Sequence, residues 1–316
     1  MHFEKYLKYN FKKQGTLSHY NISSIKNKPG LLTKALFDAD VFITTRWPNK
    51  NIITTKLKLI QIPAAGYDNI HFESVPTGCK VSNTFEHEIP MAEYCMLAML
   101  ESEINLNKMN CQLRKGNWSG YFSSVSFHGE LHNRNLGIIG FGHIGKEITK
   151  RANAFGLKTT AIIRDITKYK TNNKINFVSI KNIKQEIHKF DYLIIACPLN
   201  EETKDMINLK LIRNMKKNAI IINVARGPII NEADLYIALK NKLIRGAIID
   251  VWYNYPQNGS SKKLYPSKYP LHQLDNVTLS PHSSAWSHQL WDRRFKFICE
   301  NLENLYNNRR LKNIVS

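Results

Sequence analysis

The sequence is poor in cysteine and contains no long apolar run. Its cysteines form no CxxC pair and are odd in number: Cys79, Cys95, Cys111, Cys197 and Cys299. This spacing argues against a disulfide framework and supplies no zinc-ligand set, so we expect a reducing compartment and no metal centre. No uncharged apolar stretch reaches the roughly 18 residues that cross a membrane, and the N-terminal segment is charged where a signal peptide needs an apolar core. These absences predict a cytoplasmic protein with no membrane contact.

Acidic side chains are also scarce, with 25 Asp and Glu against 45 Lys and Arg and a formal net charge of +20. Clustered basic side chains would indicate nucleic-acid binding, because they release counterions from phosphates. Here they are scattered along the chain, and the densest groups, around Lys216 and in the C-terminal NNRRLKN, are short. We therefore expect no nucleic-acid partner, and a positive surface that favours encounters with small anions.

The 316 residues, of which 43% are hydrophobic, are enough for two packed domains. Short apolar strands alternate with helical segments in the second half, which is typical of a parallel sheet covered on both faces. The predicted strands are Val41–Thr45, Leu57–Ile62, Asn135–Gly140, Lys158–Ile163, Asp191–Ala196, Ala219–Val224 and Gly246–Val251. The predicted helices are Lys146–Ala154, Glu232–Lys240 and a long one from Pro90 to about residue 110. The fold class is therefore α/β, with doubly wound parallel sheets.

The strongest single motif is LGIIGFGHIG, in which Gly140, Gly142 and Gly145 form G-x-G-x-x-G between a strand and a helix. The first glycine permits the tight turn, the second lets a pyrophosphate approach the backbone, and the third lets helix and strand pack closely. His143 and Ile144 lie in the same turn, at the helix N-terminus that would bind the phosphates. The motif predicts a dinucleotide cofactor.

The end of the next strand distinguishes NAD from NADP. An acidic residue there hydrogen-bonds the ribose 2′-hydroxyl, whereas an arginine accommodates a 2′-phosphate. The strand ends in IIRD, so Arg164 precedes Asp165. This order favours NADP(H), with NAD(H) as the alternative if Asp165 reaches the ribose and Arg164 points to water.

Several segments in the same order resemble the D-isomer-specific 2-hydroxyacid dehydrogenase family, which includes phosphoglycerate dehydrogenases and glyoxylate/hydroxypyruvate reductases. They are PAAGYDNI, SNTFEHEIPMAEY, the glycine motif, CPLNEETKDMIN, NVARGPIINEADL, GAIIDVW and SPHSSAW. The resemblance implies a Rossmann cofactor domain at 106–287 inserted into a flavodoxin-like substrate domain formed by 1–105 and 288–316. It also implies a homodimer, with the cofactor domain and the region 97–130 at the interface.

The resemblance assigns roles to individual residues. Arg226 corresponds to the arginine that binds the substrate carboxylate and polarises the 2-oxo group, for which a permanently charged planar fork is suited. His282 corresponds to the general acid–base, and histidine titrates near working pH. The amides of Ala64, Ala65 and Gly66 correspond to the loop that cradles the substrate carboxylate. The remaining cofactor-binding positions are Cys197, Pro198, Thr203, Val224, Ala225, Asp250 and Ser284, with Asp250 holding the nicotinamide amide.

One position departs from the family pattern. The family places a glutamate that hydrogen-bonds the catalytic histidine and raises its pKa, whereas this chain reads DVWYNYP, with Tyr255 at that position. A neutral phenol can orient His282 but cannot favour the imidazolium through charge. We therefore expect 2-oxo acid reduction to decline at lower pH than in a relative that has the glutamate.

These observations predict an NAD(P)-dependent enzyme that reduces a small 2-oxo acid such as glyoxylate or hydroxypyruvate to the D-2-hydroxy acid. Because of Tyr255, two alternatives stay open: a dehydrogenase of the same fold with different chemistry, such as formate oxidation, and a dinucleotide-binding regulator without turnover. The candidates for setting substrate size are Arg46, Trp47, Tyr67, Phe85, His87, Tyr121, Tyr255 and Trp286.

Overall fold

The computed structural model describes Thr16, Ser18 and residues 29–48, 52–122, 127–172, 174–256 and 263–315. The charged segment 1–15, from which we expect no signal peptide, lies outside these ranges. The described chain divides into two compact units, one formed by residues up to His87 together with those from Ser287 onward, and one formed by Glu88–Trp286. The second unit is thus inserted, in sequence, into the first.

The first unit has a parallel sheet in the order β1 (Val41–Ile43), β2 (Leu59–Gln61), β3 (Lys80–Ser82), with helices α1 (Pro29–Leu36) and α8 (His288–Tyr306). The fully buried Asn301 of α8 ties this helix to the sheet. Its amide nitrogen donates to Gln61 Oε1 and to Ser82 Oγ, both at 2.9 Å. These bonds satisfy polar groups that would otherwise be costly to bury.

The second unit is built on a seven-stranded parallel sheet in the order β10-β9-β8-β7-β4-β5-β6. The strands are β4 (Asn135–Ile139), β5 (Lys158–Ile163), β6 (Asn176–Ser179), β7 (Tyr192–Ile195), β8 (Ile220–Asn223), β9 (Gly246–Ile249) and β10 (Val277–Leu279). The helices are α2 (Glu88–Ile104), α3 (Leu106–Leu113), α4 (His143–Ala154), α5 (Ile183–Glu186), α6 (Leu209–Ile212) and α7 (Glu232–Lys240). Strands β7, β8 and β9 are buried along their whole length, as their Ile-rich sequences predict.

Helix α2 belongs to the second unit, and this differs from the expected domain boundary at residue 105. Met91, Cys95 and Met99 of α2 lie in one buried cluster with Ile148 of α4 and Ile138 of β4. The helix therefore covers a face of the large sheet, and the chain divides after His87.

The long helix predicted from Pro90 to about residue 110 is in fact two helices. Asn105 adopts φ +56°, in the left-handed region that interrupts a right-handed helix, and α3 begins at Leu106. Asparagine adopts this conformation more readily than most other non-glycine residues. No residue of α3 is buried within the chain.

Candidate active site and cofactor site

The three glycines between β4 and α4 differ in what surrounds them. Gly140 has φ +99°, and a Cβ there would lie 2.6 Å from the carbonyl oxygen of Ala196. A Cβ on Gly145 would lie 2.3 Å from the carbonyl oxygen of Gly140, whereas a Cβ on Gly142 would meet nothing within 4 Å. Packing therefore requires glycine at 140 and 145, while Gly142 borders open space. This combination fits the backbone approach of a pyrophosphate.

Helix α4 begins at His143, and its N-cap, Gly142, has no side chain to cap the helix. The first N–H groups of a helix, here those of His143, Ile144 and Gly145, have no intrahelical acceptor, and the helix dipole adds positive potential. The helix start therefore suits an anionic group. The His143 Nδ1 atom lies 4.0 Å from Glu88 Oε1.

The glycine turn lies where the strand order reverses, because β5 and β6 extend the sheet on one side of β4 while β7 to β10 extend it on the other. Ligands of such sheets bind outside the carboxyl ends of the strands at this point.

Cys197 and Pro198 follow β7, at the carboxyl ends of the strands. Burial raises the pKa of the Cys197 thiol to about 11. Thr203 closes the turn by donating from Oγ1 to the Pro198 carbonyl at 2.8 Å.

Two charged side chains follow β5. The Asp165 carboxylate accepts hydrogen bonds from the Thr167 hydroxyl at 2.5 Å and from the Thr167 N–H at 3.0 Å, and these bonds lower the pKa of Asp165. Arg164 is exposed, with its guanidinium 3.6 Å from the Glu202 carboxylate. Asp165 is thus engaged within its own turn, while Arg164 places a positive charge at the surface beyond the strand.

Arg226 lies just beyond the carboxyl end of β8, after the buried Val224 and Ala225. The Asn223 side chain fixes this turn, because its Oδ1 accepts the Ala225 N–H at 3.1 Å and its Nδ2 donates to the Arg226 carbonyl at 2.9 Å. The guanidinium itself donates from Nη1 to the Ala225 carbonyl at 2.8 Å. The backbone under the arginine is therefore held on both sides.

Asp250 directly follows β9 and is fully buried. Its Oδ1 accepts the Ser280 hydroxyl at 2.5 Å and the Ser283 N–H at 2.8 Å, and its Oδ2 accepts the Ser284 N–H at 3.0 Å. These donors compensate the burial of a carboxylate. They also tie the end of β9 to the loop after β10, and this loop carries His282.

His282 adopts φ +58°, and its ring centroid lies 5.5 Å from that of Tyr255, with the planes at 51°. The Tyr255 hydroxyl oxygen accepts the Trp252 N–H at 2.9 Å. Within the described ranges the imidazole has no hydrogen-bond partner, so the phenol contacts it through the ring alone. Burial lowers the pKa of His282; the Asp250 charge opposes this shift and the Arg226 charge adds to it.

In the first unit, Ala64, Ala65 and Gly66 follow β2. The Thr84 N–H donates to the Ala64 carbonyl at 3.0 Å, and the Asn83 side-chain nitrogen donates to the Ala65 carbonyl at 2.8 Å. Sequence reasoning did not include Asn83 or Thr84 among the site residues. The run of small polar side chains at the end of β3, from Ser82 to Thr84, is the signal that could have identified them.

The prediction that Trp47 helps to set substrate size is wrong. The Trp47 side chain is fully buried, and its indole N–H donates to the Ser74 carbonyl at 3.0 Å. Tyr67, Tyr121 and Trp286 are exposed.

The described ranges contain no group of three or more His, Cys, Asp or Glu side chains placed to hold a metal ion. In that same part of the chain, every helix is too short or too polar to cross a membrane.

A glycine turn at a helix start, set at the switch point of a parallel sheet, defines a dinucleotide-binding domain. The family model for the D-isomer specific 2-hydroxyacid dehydrogenase NAD binding domain matches residues 96–284. The chain therefore belongs to the D-isomer-specific 2-hydroxyacid dehydrogenase family.

The chain is similar in sequence to several named dehydrogenases and reductases. The chain is 31% identical over 292 residues to a D-3-phosphoglycerate dehydrogenase of Methanocaldococcus jannaschii, covering 90% of this chain and 53% of the relative. It thus spans about half the length of that protein. It is 30% identical to a glyoxylate reductase of Korarchaeum cryptofilum, covering 78% and 72% of the two chains. It is 34% identical to a hydroxypyruvate reductase of Thermotoga maritima, covering 72% and 71%.

Solved structures share the fold. A D-isomer specific 2-hydroxyacid dehydrogenase family protein from Aeromonas salmonicida superimposes with a TM-score of 0.79 at 21% identity, covering 100% of this chain and 95% of the other. An acyclic imino acid reductase in complex with NADPH and D-Arg gives 0.74 at 24% identity, covering 96% and 98%.

Proposed function

We propose that the protein reduces a small 2-oxo acid, such as glyoxylate or hydroxypyruvate, to the D-2-hydroxy acid with a reduced nicotinamide dinucleotide. The observation that carries this proposal is the pair of hydrogen bonds by which the Asp250 carboxylate holds the loop of His282. This loop belongs to the same compact unit as the glycine turn and Arg226. The related glyoxylate and hydroxypyruvate reductases support the substrate class.

In this proposal, Arg226 binds the substrate carboxylate and polarises the 2-oxo oxygen, because a guanidinium keeps its charge and pairs bidentately. The amides of Ala64, Ala65 and Gly66 bind the same carboxylate. The bound dinucleotide supplies a hydride to the carbonyl carbon. His282 gives a proton to the oxygen, so that the 2-oxo group becomes a hydroxyl.

We propose that the residues after the glycine turn line the dinucleotide: His143, Ile144, Cys197, Pro198, Thr203, Val224, Ala225, Asp250 and Ser284. NADPH is the preferred form in this proposal. Its support is that the Asp165 carboxylate is engaged by Thr167, whereas the exposed Arg164 offers a cation for a 2′-phosphate. The exposed Glu202 carboxylate, 3.6 Å from the guanidinium, competes for the same cation, and the preference for NADPH should weaken as salt screens these exposed charges.

We also propose a homodimer through α3 and the segment after it. Helix α3 buries no residue, and Trp118, Phe122 and Phe127 beyond it are 65%, 85% and 92% exposed. Large exposed apolar side chains that lie close together in the chain are typical of an interaction surface. The cytoplasmic location stays a prediction from the sequence.

The test is loss of reduced-nicotinamide absorbance with glyoxylate, hydroxypyruvate and pyruvate. Replacing His282 by alanine should lower kcat by about 100- to 10,000-fold, because the proton donor is gone. His188→Ala, at an exposed histidine outside both the site and the proposed interface, is the matched control and should keep full activity. Equal activity of wild type and His282→Ala would contradict the proposal.

Cofactor preference is tested separately. Arg164→Ala should raise the Kd of NADPH and leave that of NADH nearly unchanged, with Arg213→Ala as the control. If NADPH and NADH bind tightly but no 2-oxo acid is turned over, the alternative of a dinucleotide-binding regulator takes the place of the enzyme. Turnover of formate alone would instead identify the alternative chemistry that Tyr255 left open.

A further inference from the structure

The loop of residues 280–284 wraps around one carboxylate. Asp250 accepts the Ser280 hydroxyl on one side of His282, and the Ser283 and Ser284 amides on the other. Pro281 and His282 therefore form the apex of a loop whose two ends are bound to the same buried group. Bonds to a charged acceptor are about twice as strong as bonds between neutral groups.

His282, at the apex, has a backbone conformation that the rest of the loop must hold in place. His282 has φ +58°, in the left-handed region, which is unfavourable for a non-glycine residue and persists only where the surrounding structure fixes it. Within the described ranges its imidazole makes no hydrogen bond that would hold the ring. Apart from the Tyr255 ring beside it, the position of the imidazole is therefore set through its backbone, by what fixes the ends of the loop.

Ser280 is the most tightly held residue of the loop. Its single hydroxyl proton goes to the Asp250 carboxylate, which can only accept. The Tyr94 hydroxyl lies 2.7 Å from Ser280 Oγ and must therefore be the donor in that pair. The Ser280 carbonyl also accepts the Trp252 indole N–H at 2.8 Å.

These bonds form a chain that begins on helix α2 and ends at the loop. The Tyr94 hydroxyl donates to Ser280, the Ser280 hydroxyl donates to Asp250, and Asp250 accepts the Ser283 and Ser284 amides. Burial raises the pKa of Tyr94, so its phenol stays protonated and able to donate. Donors in series polarise one another, so the first bond strengthens the second.

We propose that Tyr94 and Ser280 are positioning residues for His282, which hold the loop so that the imidazole reaches the substrate oxygen. This inference rests on the proposed function for its kinetic consequence, and on the geometry of the second unit alone for the loop itself. A displacement of about 1 Å is enough to cost a hundredfold in rate. The chain supplies the orientation that a direct partner of the imidazole would otherwise give.

The first experiment does not use activity. Amide hydrogen exchange of Ser283 and Ser284 is measured in wild type, Tyr94→Phe and Ser280→Ala. We expect exchange to accelerate by about tenfold in each variant, because the loss of one hydrogen bond loosens the loop. Tyr253→Phe is the matched control, since this phenol donates to the Ile230 carbonyl at 2.9 Å in the same unit and is outside the chain.

The second experiment measures kinetics with the 2-oxo acid that wild type reduces. Tyr94→Phe and Ser280→Ala should lower kcat by about ten- to a hundredfold with KM unchanged, because Arg226 still binds the carboxylate. Ser280→Thr keeps the hydroxyl and should restore both exchange and kcat, which also shows that the effect is not a failure to fold.

Unchanged exchange in Tyr94→Phe and Ser280→Ala would overturn the inference. So would an unchanged kcat, or a rise in KM alone. If wild type reduces no 2-oxo acid, the proposed function fails, and the exchange rates still decide whether Tyr94 and Ser280 hold the loop.

Discussion

Replacing Gly142 by alanine separates the folding of the glycine turn from its binding of a ligand. Gly142 has φ −80°, which any residue adopts, and a Cβ there meets nothing within 4 Å. The methyl group therefore meets no clash. Alanine is a poorer N-cap than glycine, but it also restricts the unfolded chain, which stabilises a compatible position by about 0.4–1 kcal/mol, so the two effects oppose each other. We expect the free energy of unfolding to change by about 1 kcal/mol at most.

Cofactor binding should respond in the opposite direction. If a pyrophosphate approaches the backbone at Gly142, the methyl group displaces it and removes one charge-assisted hydrogen bond, worth about 1.5–3 kcal/mol. At about 1.4 kcal/mol per tenfold, this raises the Kd of the dinucleotide by roughly 10- to 150-fold. Urea unfolding and isothermal titration with NADPH measure the two effects on the same sample.

Gly145→Ala is the matched control in the same turn. Its Cβ would lie 2.3 Å from the Gly140 carbonyl oxygen, so the backbone must move and the protein should lose about 1–3 kcal/mol as well as affinity. A Gly142→Ala protein that binds NADPH as wild type does would refute the reasoning, because the open space at Gly142 would then not hold the phosphates.

Two further predictions concern stability and pH. Glu103→Ala should lower the free energy of unfolding by about 3–5 kcal/mol, because the buried carboxylate pairs with Arg245 at 2.9 Å, while the control Glu201→Ala, at an exposed side chain, should change it by about 0.5 kcal/mol at most. In the pH–rate profile, reduction should decline as pH rises through the lowered pKa of His282, below the ordinary 6.5, since only the protonated imidazole donates. Tyr255→Glu should move this decline to higher pH and Tyr255→Gln should not; a wild-type profile that is flat to about pH 8 contradicts the assignment.

The sequence predicted the large sheet well because its strands are continuous apolar runs that end in marked residues. Strand β5 and helix α7 have the predicted bounds, Lys158–Ile163 and Glu232–Lys240. The side chain of Asn231 caps α7 by accepting the Asp234 N–H, which is a local signal. Strand β6 was missed, because Asn176–Ser179 is a short, partly buried strand at the sheet edge without an apolar run.

The contacts that shape the site were beyond the sequence because they join distant residues. Tyr94 and Ser280 are 186 residues apart, and neither belongs to a motif whose spacing shows that they meet. Trp47 was misjudged for the same reason: its partner, Ser74, is 27 residues further along the chain, and the indole is in the core. A pattern shows which residues are suited to chemistry, but tertiary packing decides which of them reach it.

The missing glutamate separates two tasks that the family resemblance combines in one residue, orienting the histidine and favouring its charged form. Orientation is retained, since Asp250 holds the amides after His282 and the Tyr255 ring packs against the imidazole. Charge compensation is weaker, because the Asp250 oxygens accept from Ser280, Ser283 and Ser284 and, within the described ranges, neither hydrogen-bonds the imidazole. We therefore expect a histidine that is held in place but loses its proton readily, so that the substitution at Tyr255 restricts the pH range of reduction more than its maximal rate.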